Sequence, residues 1–147
     1  MYEDIFSAFA GCSDPVVAPG EFVFSAVGLD HGHIYGMADG LLRAGATLKW
    51  VYDPDPQKVR AFCAKYPQAR PAVSEAQVLS DGETRLIAGA CVPSERAALG
   101  IRAMRAGKDY FTDKAPLTTL DQLAAVREAV AQTGRKYMVN YSERVQS

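Results

Sequence analysis

The stretch Phe22-Val-Phe-Ser-Ala-Val-Gly28-Leu-Asp30-His31-Gly32-His33 runs from an apolar segment through a glycine turn into residues with helical spacing. That order sets backbone N–H groups and the positive end of a helix dipole beneath an anion, typically a dinucleotide pyrophosphate. A G-x-G-x-x-G fingerprint beginning at Gly28 asks for glycine at positions 30 and 33, where this chain has Asp30 and His33. If Asp30 faces the pyrophosphate, two unit charges ~5 Å apart at an effective dielectric of ~20 repel by roughly 3 kcal/mol, about a hundredfold in affinity. Turned away, it hydrogen-bonds loop backbone, as Asx residues do, and we favour that arrangement. One of His31 and His33 either contacts a phosphate from the helix N-terminus or braces the loop. The two stand two residues apart, poor spacing for one helical face, so no metal site is expected.

Other candidates cluster at the ends of later apolar stretches. Asp53 follows Leu48 to Tyr52, 25 positions after Gly28. A carboxylate there accepts hydrogen bonds from both ribose hydroxyls and repels a 2′-phosphate, which favours NAD over NADP. In Asp53-Pro-Asp-Pro it is equally read as a turn or capping residue. Val92-Pro93 closes another apolar run, and Asp113-Lys114 ends a short one. A lysine at such a mouth either hydrogen-bonds a substrate hydroxyl and the nicotinamide ribose, or is a solvated strand-end residue. Desolvation would lower its pKa towards catalytic use.

The elements that position these residues alternate between strand and helix. Phe22–Val27, Leu48–Asp53, a short piece near Pro71–Val73, Leu86–Val92, Tyr110–Thr112 and Tyr137–Tyr141 read as strands, mostly apolar as in a sheet covered on both faces. Ile34, Met37 and Leu41 recur at helical spacing up to Gly45. Gly32, Gly36 and Gly40 recur every four residues, which predicts a close approach of that helix to the sheet. Asp55 caps a helix with Pro56 at its first position and Val59, Phe62, Cys63 and Tyr66 as its stripe. A short helix covers Ser74 to Leu79, and another runs from Pro93 to Gly107. Thr119 and Gln122 have capping-box spacing before a stripe of Leu120, Leu123, Val126 and Val130, closed by Gly134. Six strands with helical connections predict an α/β fold, an open, doubly wound, mainly parallel sheet. Its ligands bind outside the carboxyl ends of the strands, where all the candidates lie.

The chain has 147 residues, 16 basic and 17 acidic, which suits one domain with its own core and offers no basic face for nucleic acid. No apolar run approaches the ~20 residues of a membrane span. Cys12, Cys63 and Cys91 have apolar neighbours and no C-x-x-C spacing, so reduced cytoplasmic thiols are expected rather than a zinc site. Residues 1–21 read as an N-terminal extension, a short helix and a Pro/Gly-rich lead-in packed on the domain edge. Glu3 and Asp4 argue against a signal peptide.

Several of these pieces together resemble the N-terminal half of the Gfo/Idh/MocA oxidoreductases. They are Ala26-Val-Gly-Leu-Asp-His-Gly-His33, Val51-Tyr-Asp-Pro-Asp55, Ala103-Met-Arg-Ala-Gly-Lys108, Asp113-Lys114 and Leu117-Thr-Thr-Leu120. The likeness spans roughly residues 22–145. It implies a Rossmann fold over 22–147 and a nicotinamide dinucleotide as partner. It also implies cofactor contacts from Gly28, Asp30, His31, Gly32, His33, Asp53, Val92, Pro93, Asp113 and Lys114, and a catalytic Lys114. The chain departs from the family at Asp30 and His33, at Asp113-Lys114-Ala115-Pro116 in place of Glu-Lys-Pro, and at Arg96, where the family often has histidine.

Family members usually carry a second α/β domain that grips the sugar or cyclitol and often forms subunit contacts. The chain is therefore expected to be the cofactor domain of a polyol oxidoreductase, inactive alone, monomeric or paired through surface that domain would cover. The alternative is a stand-alone module that has lost hydride transfer and binds a nucleotide or a protein.

Overall fold

The computed structural model describes residues 14–141; the expected N-terminal helix and Cys12 fall outside that range. The lead-in that follows does pack on the domain edge. Val16 N–H donates to Ala44 O (2.9 Å) and Gly20 N–H to Thr47 Oγ1 (3.0 Å).

The described elements are β1 (Val23–Val27), α1 (His33–Arg43), β2 (Thr47–Tyr52), α2 (Pro56–Lys65), β3 (Arg70–Pro71), α3 (Glu75–Ser80), β4 (Thr84–Gly89), α4 (Pro93–Arg105), β5 (Asp109–Asp113), α5 (Leu120–Thr133) and β6 (Tyr137–Asn140). The six strands lie in the order β3-β2-β1-β4-β5-β6, and every neighbouring pair is parallel. This is a doubly wound Rossmann sheet, wholly parallel where a mainly parallel one was expected. The strand order reverses between β1 and β4, which opens a crevice above their carboxyl ends. β4 stops at Gly89, three residues short of the apolar run that suggested it, so Ala90, Cys91 and Val92 form a loop over that crevice.

Alternation along the strands divides the core. Phe24 and Ala26 of β1 pack with Leu48 and Val51 of β2 against Ile34 and Met37 of α1 and Phe62 of α2. On the opposite face Val27, Ile87 and Tyr110 meet Val78 of α3 and Leu99 and Ala103 of α4. Local chemistry sets the helix starts, as expected at Asp55 and Thr119 and also at Ser74. Asp55 accepts from Gln57 N–H, Ser74 from Gln77 N–H and Thr119 from Gln122 N–H.

Two packing expectations are corrected. A Cβ on Gly32, Gly36 or Gly40 would meet nothing within 4 Å, so the glycines lie opposite the buried face of Ile34, Met37 and Ala38. The close helix–sheet approach occurs at Gly100 in α4, where a Cβ would stand 2.4 Å from both Tyr110 Cδ1 and Tyr137 Cε2. In α5 only Val126 of the expected stripe is buried. Leu120 is 83% exposed, and Leu123 and Val130 are partly so, because α5 meets α4 through the narrow contact of Val126 and Ala129 with Ala97 and Met104.

Lys108, within the Ala-Gly-Lys signature, proves structural. It is buried, and its Nζ donates to Asp81 O (2.6 Å) and Thr84 O (2.8 Å) at the amino ends of the strands. Cys63 and Cys91 are free thiols, and no described helix is long and apolar enough to cross a membrane. Burial pushes the Cys91 thiol up to about 11. Iodoacetamide at mildly alkaline pH is therefore expected to leave Cys91 unmodified in the native chain and to label it once urea unfolds it. Peptide mass spectrometry reads the difference, and fast native labelling would contradict the buried placement.

Candidate functional site

The turn after β1 is fixed by three backbone bonds to its neighbours. Gly28 N–H donates to Tyr52 O (3.0 Å), His31 N–H to Ala90 O (2.9 Å), and Ala90 N–H donates back to Gly28 O (2.9 Å). Gly28 sits at φ +80, and a Cβ there would stand 2.8 Å from Cys91 Cβ. Any other residue would be strained and would push the β4 loop away. The turn delivers the chain to α1 with Gly32 as N-cap and no side-chain cap. Among the described residues, no partner meets the Asp30 or Gly32 N–H.

Asp53 is buried at the end of β2, and both its oxygens are engaged. Oδ2 accepts Leu29 N–H (2.7 Å) and Oδ1 accepts Asp55 N–H (2.9 Å). The carboxylate thus caps a turn, as one of its two readings has it, and lines the crevice. Asp30 does turn aside, though not onto its own loop. Oδ1 pairs with Lys58 Nζ of α2 (2.5 Å) and Oδ2 accepts Val92 N–H (3.2 Å). The hydrogen bond to Asp30, above all, raises the Lys58 pKa.

These groups line a cleft of about 420 Å³ at the reversal of strand order, with Val27, Tyr52, Asp55, Glu75, Cys91, Glu95 and Arg102. Glu75 holds the Arg102 guanidinium through two oxygens (2.6 and 3.0 Å), which raises its pKa. A larger concavity, about 910 Å³, opens at the amino ends of the strands around Asp81, Lys108 and Lys136. Helix N-termini point to the other end, so the smaller cleft has the chemistry for a phosphate.

The remaining candidates gather beside this cleft rather than in it. Asp113, at the end of β5, is 1% exposed. His33 Nδ1 lies 3.0 Å from its Oδ1 and His31 Nδ1 3.5 Å from its Oδ2. The spacing argument against a shared centre fails, because His31 lies in the turn and His33 begins α1. Their ring centroids are 4.2 Å apart. Arg96, fully buried in α4, donates to Cys91 O (2.7 Å), Ala115 O (3.1 Å) and Asp113 Oδ2 (3.4 Å). It thereby grips both neighbours of Lys114, which is half-buried at the mouth of the sheet. Pro93 opens α4 as expected, and like Gly32 and Lys114 it does not line the cleft.

Sequence reasoning missed Lys58 and Arg102 and noted Arg96 only by position. Lys58 is 28 residues from Asp30 and Arg102 is 27 from Glu75, and no local pattern announces either pair.

The model of the Gfo/Idh/MocA oxidoreductase family, NAD-binding Rossmann fold, matches residues 27–141. A candidate oxidoreductase from Erwinia carotovora atroseptica is 45% identical in sequence with a TM-score of 0.81; the match covers 84% of this chain and 37% of that one. A candidate NADPH-dependent oxidoreductase from Desulfitobacterium hafniense shares 20% identity (TM-score 0.78; 88% and 36% covered). The WlbA dehydrogenase from Bordetella pertussis, solved with NADH and UDP-GlcNAcA, shares 21% (TM-score 0.74; 87% and 37%). The chain thus spans a little over a third of the length of these solved structures. No curated protein matches the sequence. With residues 27–141 matched and the sheet order in place, the chain belongs to the Gfo/Idh/MocA oxidoreductase family and carries its NAD-binding Rossmann fold.

Proposed function

We propose that the chain binds a nicotinamide dinucleotide over the carboxyl ends of β1, β2 and β4, as the cofactor domain of an oxidoreductase acting on a sugar, cyclitol or similar polyol in the cytoplasm. The observation that carries this reading is the open N-terminus of α1 at the reversal of strand order. Its cap has no side-chain hydrogen bond, and the amides of Asp30 and Gly32, unpartnered among the described residues, suit a pyrophosphate. The nicotinamide, when bound, supplies the hydride-accepting chemistry. Lys114 would move the proton at the substrate hydroxyl, held in place by Asp113 and Ala115 on either side.

NAD(H) is the preferred form. The cleft is lined by five carboxylates (Asp30, Asp53, Asp55, Glu75, Glu95) and two cations (Lys58, Arg102), each cation already paired with a carboxylate. A 2′-phosphate would enter uncompensated negative charge. Calorimetric titration with NAD, NADH, NADP and NADPH tests both points. NAD(H) is expected to bind more tightly, and Asp53→Ser to narrow the difference. Tighter NADP(H) binding would remove Asp53 from the ribose.

Asp30→Gly supplies a second measurement. It removes the brace that ties the turn to α2 and to the β4 loop, so dinucleotide affinity is expected to stay flat or fall. A gain near a hundredfold would mean that the carboxylate faces the pyrophosphate after all. Asp30 is also what favours the second reading, a module that has lost hydride transfer, since it brings negative charge to the turn. Binding of AMP without binding of any nicotinamide dinucleotide would select that reading.

A further inference from the structure

Two histidines and an aspartate converge from two separate stretches of chain. One donor atom each from His31, His33 and Asp113 lies within 4.8 Å of the other two. Two imidazole nitrogens and one carboxylate oxygen are a donor set for a divalent transition metal. The geometry points to a binding site for a zinc-type divalent cation at His31, His33 and Asp113, beside the turn that carries the proposed dinucleotide site.

The distances suit such an ion. A tetrahedral ion ~2.0–2.2 Å from its donors holds them ~3.4 Å apart. The imidazole–carboxylate separations, 3.0 Å from His33 to Oδ1 and 3.5 Å from His31 to Oδ2, lie near that value, and the three-donor set as a whole spans up to 4.8 Å and must tighten around an ion. The His31 side chain is 53% exposed, so its ring can make the remaining adjustment. His31 Nδ1 accepts the His33 N–H (3.2 Å), so an ion taken by this nitrogen displaces that one bond. Asp113 is fixed from behind by Arg96, in the manner of a ligating carboxylate held by an outer hydrogen-bond donor. The exposed sides of both rings leave coordination positions open to water.

Two features select among ions. The Arg96 guanidinium and the positive end of α1 both oppose a cation. Hard ions held mainly by charge, such as magnesium and calcium, lose most from this. Ions that bind through imidazole nitrogen, such as zinc, nickel and cobalt, lose least.

The test is calorimetric titration of the metal-stripped chain with zinc chloride. One ion per chain is expected, with affinity at least tenfold weaker in His31→Ala and in His33→Gln. Cobalt chloride should give visible absorption bands that are lost in His31→Ala, and magnesium and calcium chlorides should give no binding heat. Zinc bound equally well by His31→Ala, no zinc binding at millimolar concentration, or a cobalt spectrum unchanged by the protein would each overturn the proposal. His31 is largely exposed, so its removal spares the core. Matching thermal melts of His31→Ala and the parent chain separate loss of the site from loss of the fold.

Discussion

Arg96→Met is expected to destabilise the chain by about 3–5 kcal/mol, the usual cost of stripping one partner from a buried ion pair. The guanidinium is 2% exposed and serves three acceptors: Cys91 O, Ala115 O and the Asp113 carboxylate. Methionine fills much of the volume but donates nothing. Two carbonyls lose their donor, and a carboxylate that is 1% exposed keeps its charge without its cation. With a urea m-value of ~2 kcal/mol per molar, the unfolding midpoint should fall by about 2 M. Arg96→Lys retains charge without the planar fork and should fall between the two. A loss below ~1 kcal/mol would mean that the guanidinium reaches water in solution.

No turnover is expected from the 147-residue chain assayed alone with NAD and a panel of aldoses and inositols. Hydride transfer needs nicotinamide, substrate carbon and the acid–base group held in near-attack geometry, with the reacting atoms ~3–3.5 Å apart. Lys114 and the mouth of the sheet form one wall of such a site. The described residues supply no opposing wall to orient a polyol or exclude water. Positioning accounts for roughly 7–11 kcal/mol of a barrier, so its loss takes the rate below detection even with NAD bound. NADH absorbance reads the assay. Turnover that disappears in Lys114→Ala would show that the chain is a complete catalyst and would overturn the cofactor-domain reading.

The relation of sequence to structure differs between fold and site. Element order, the caps at Asp55 and Thr119, the stop at Gly134 and the turn at Gly28 were all legible in the sequence. Each depends on residues a few positions apart, where backbone preference and periodicity act directly. The parallel sheet followed, because alternating strands and helices with short connections admit few other arrangements. The face of a helix was less legible. Gly32, Gly36 and Gly40 suggest contact by their spacing, yet Ile34 and Met37 compete for the same sheet and win through buried apolar area.

Only the tertiary structure decided how the polar side chains pair. Asp113 collects Arg96 from 17 residues away and His33 from 80. Asp30 takes Lys58 from the next helix but one, and Asp53 spends its oxygens on backbone amides of two turns. The order β3-β2-β1-β4-β5-β6 brings the ends of β1, β4 and β5 side by side although they are far apart in the chain. A charged side chain buried there takes the nearest partner that offsets its desolvation. That choice depends on distances across the sheet, on which the local sequence has no hold.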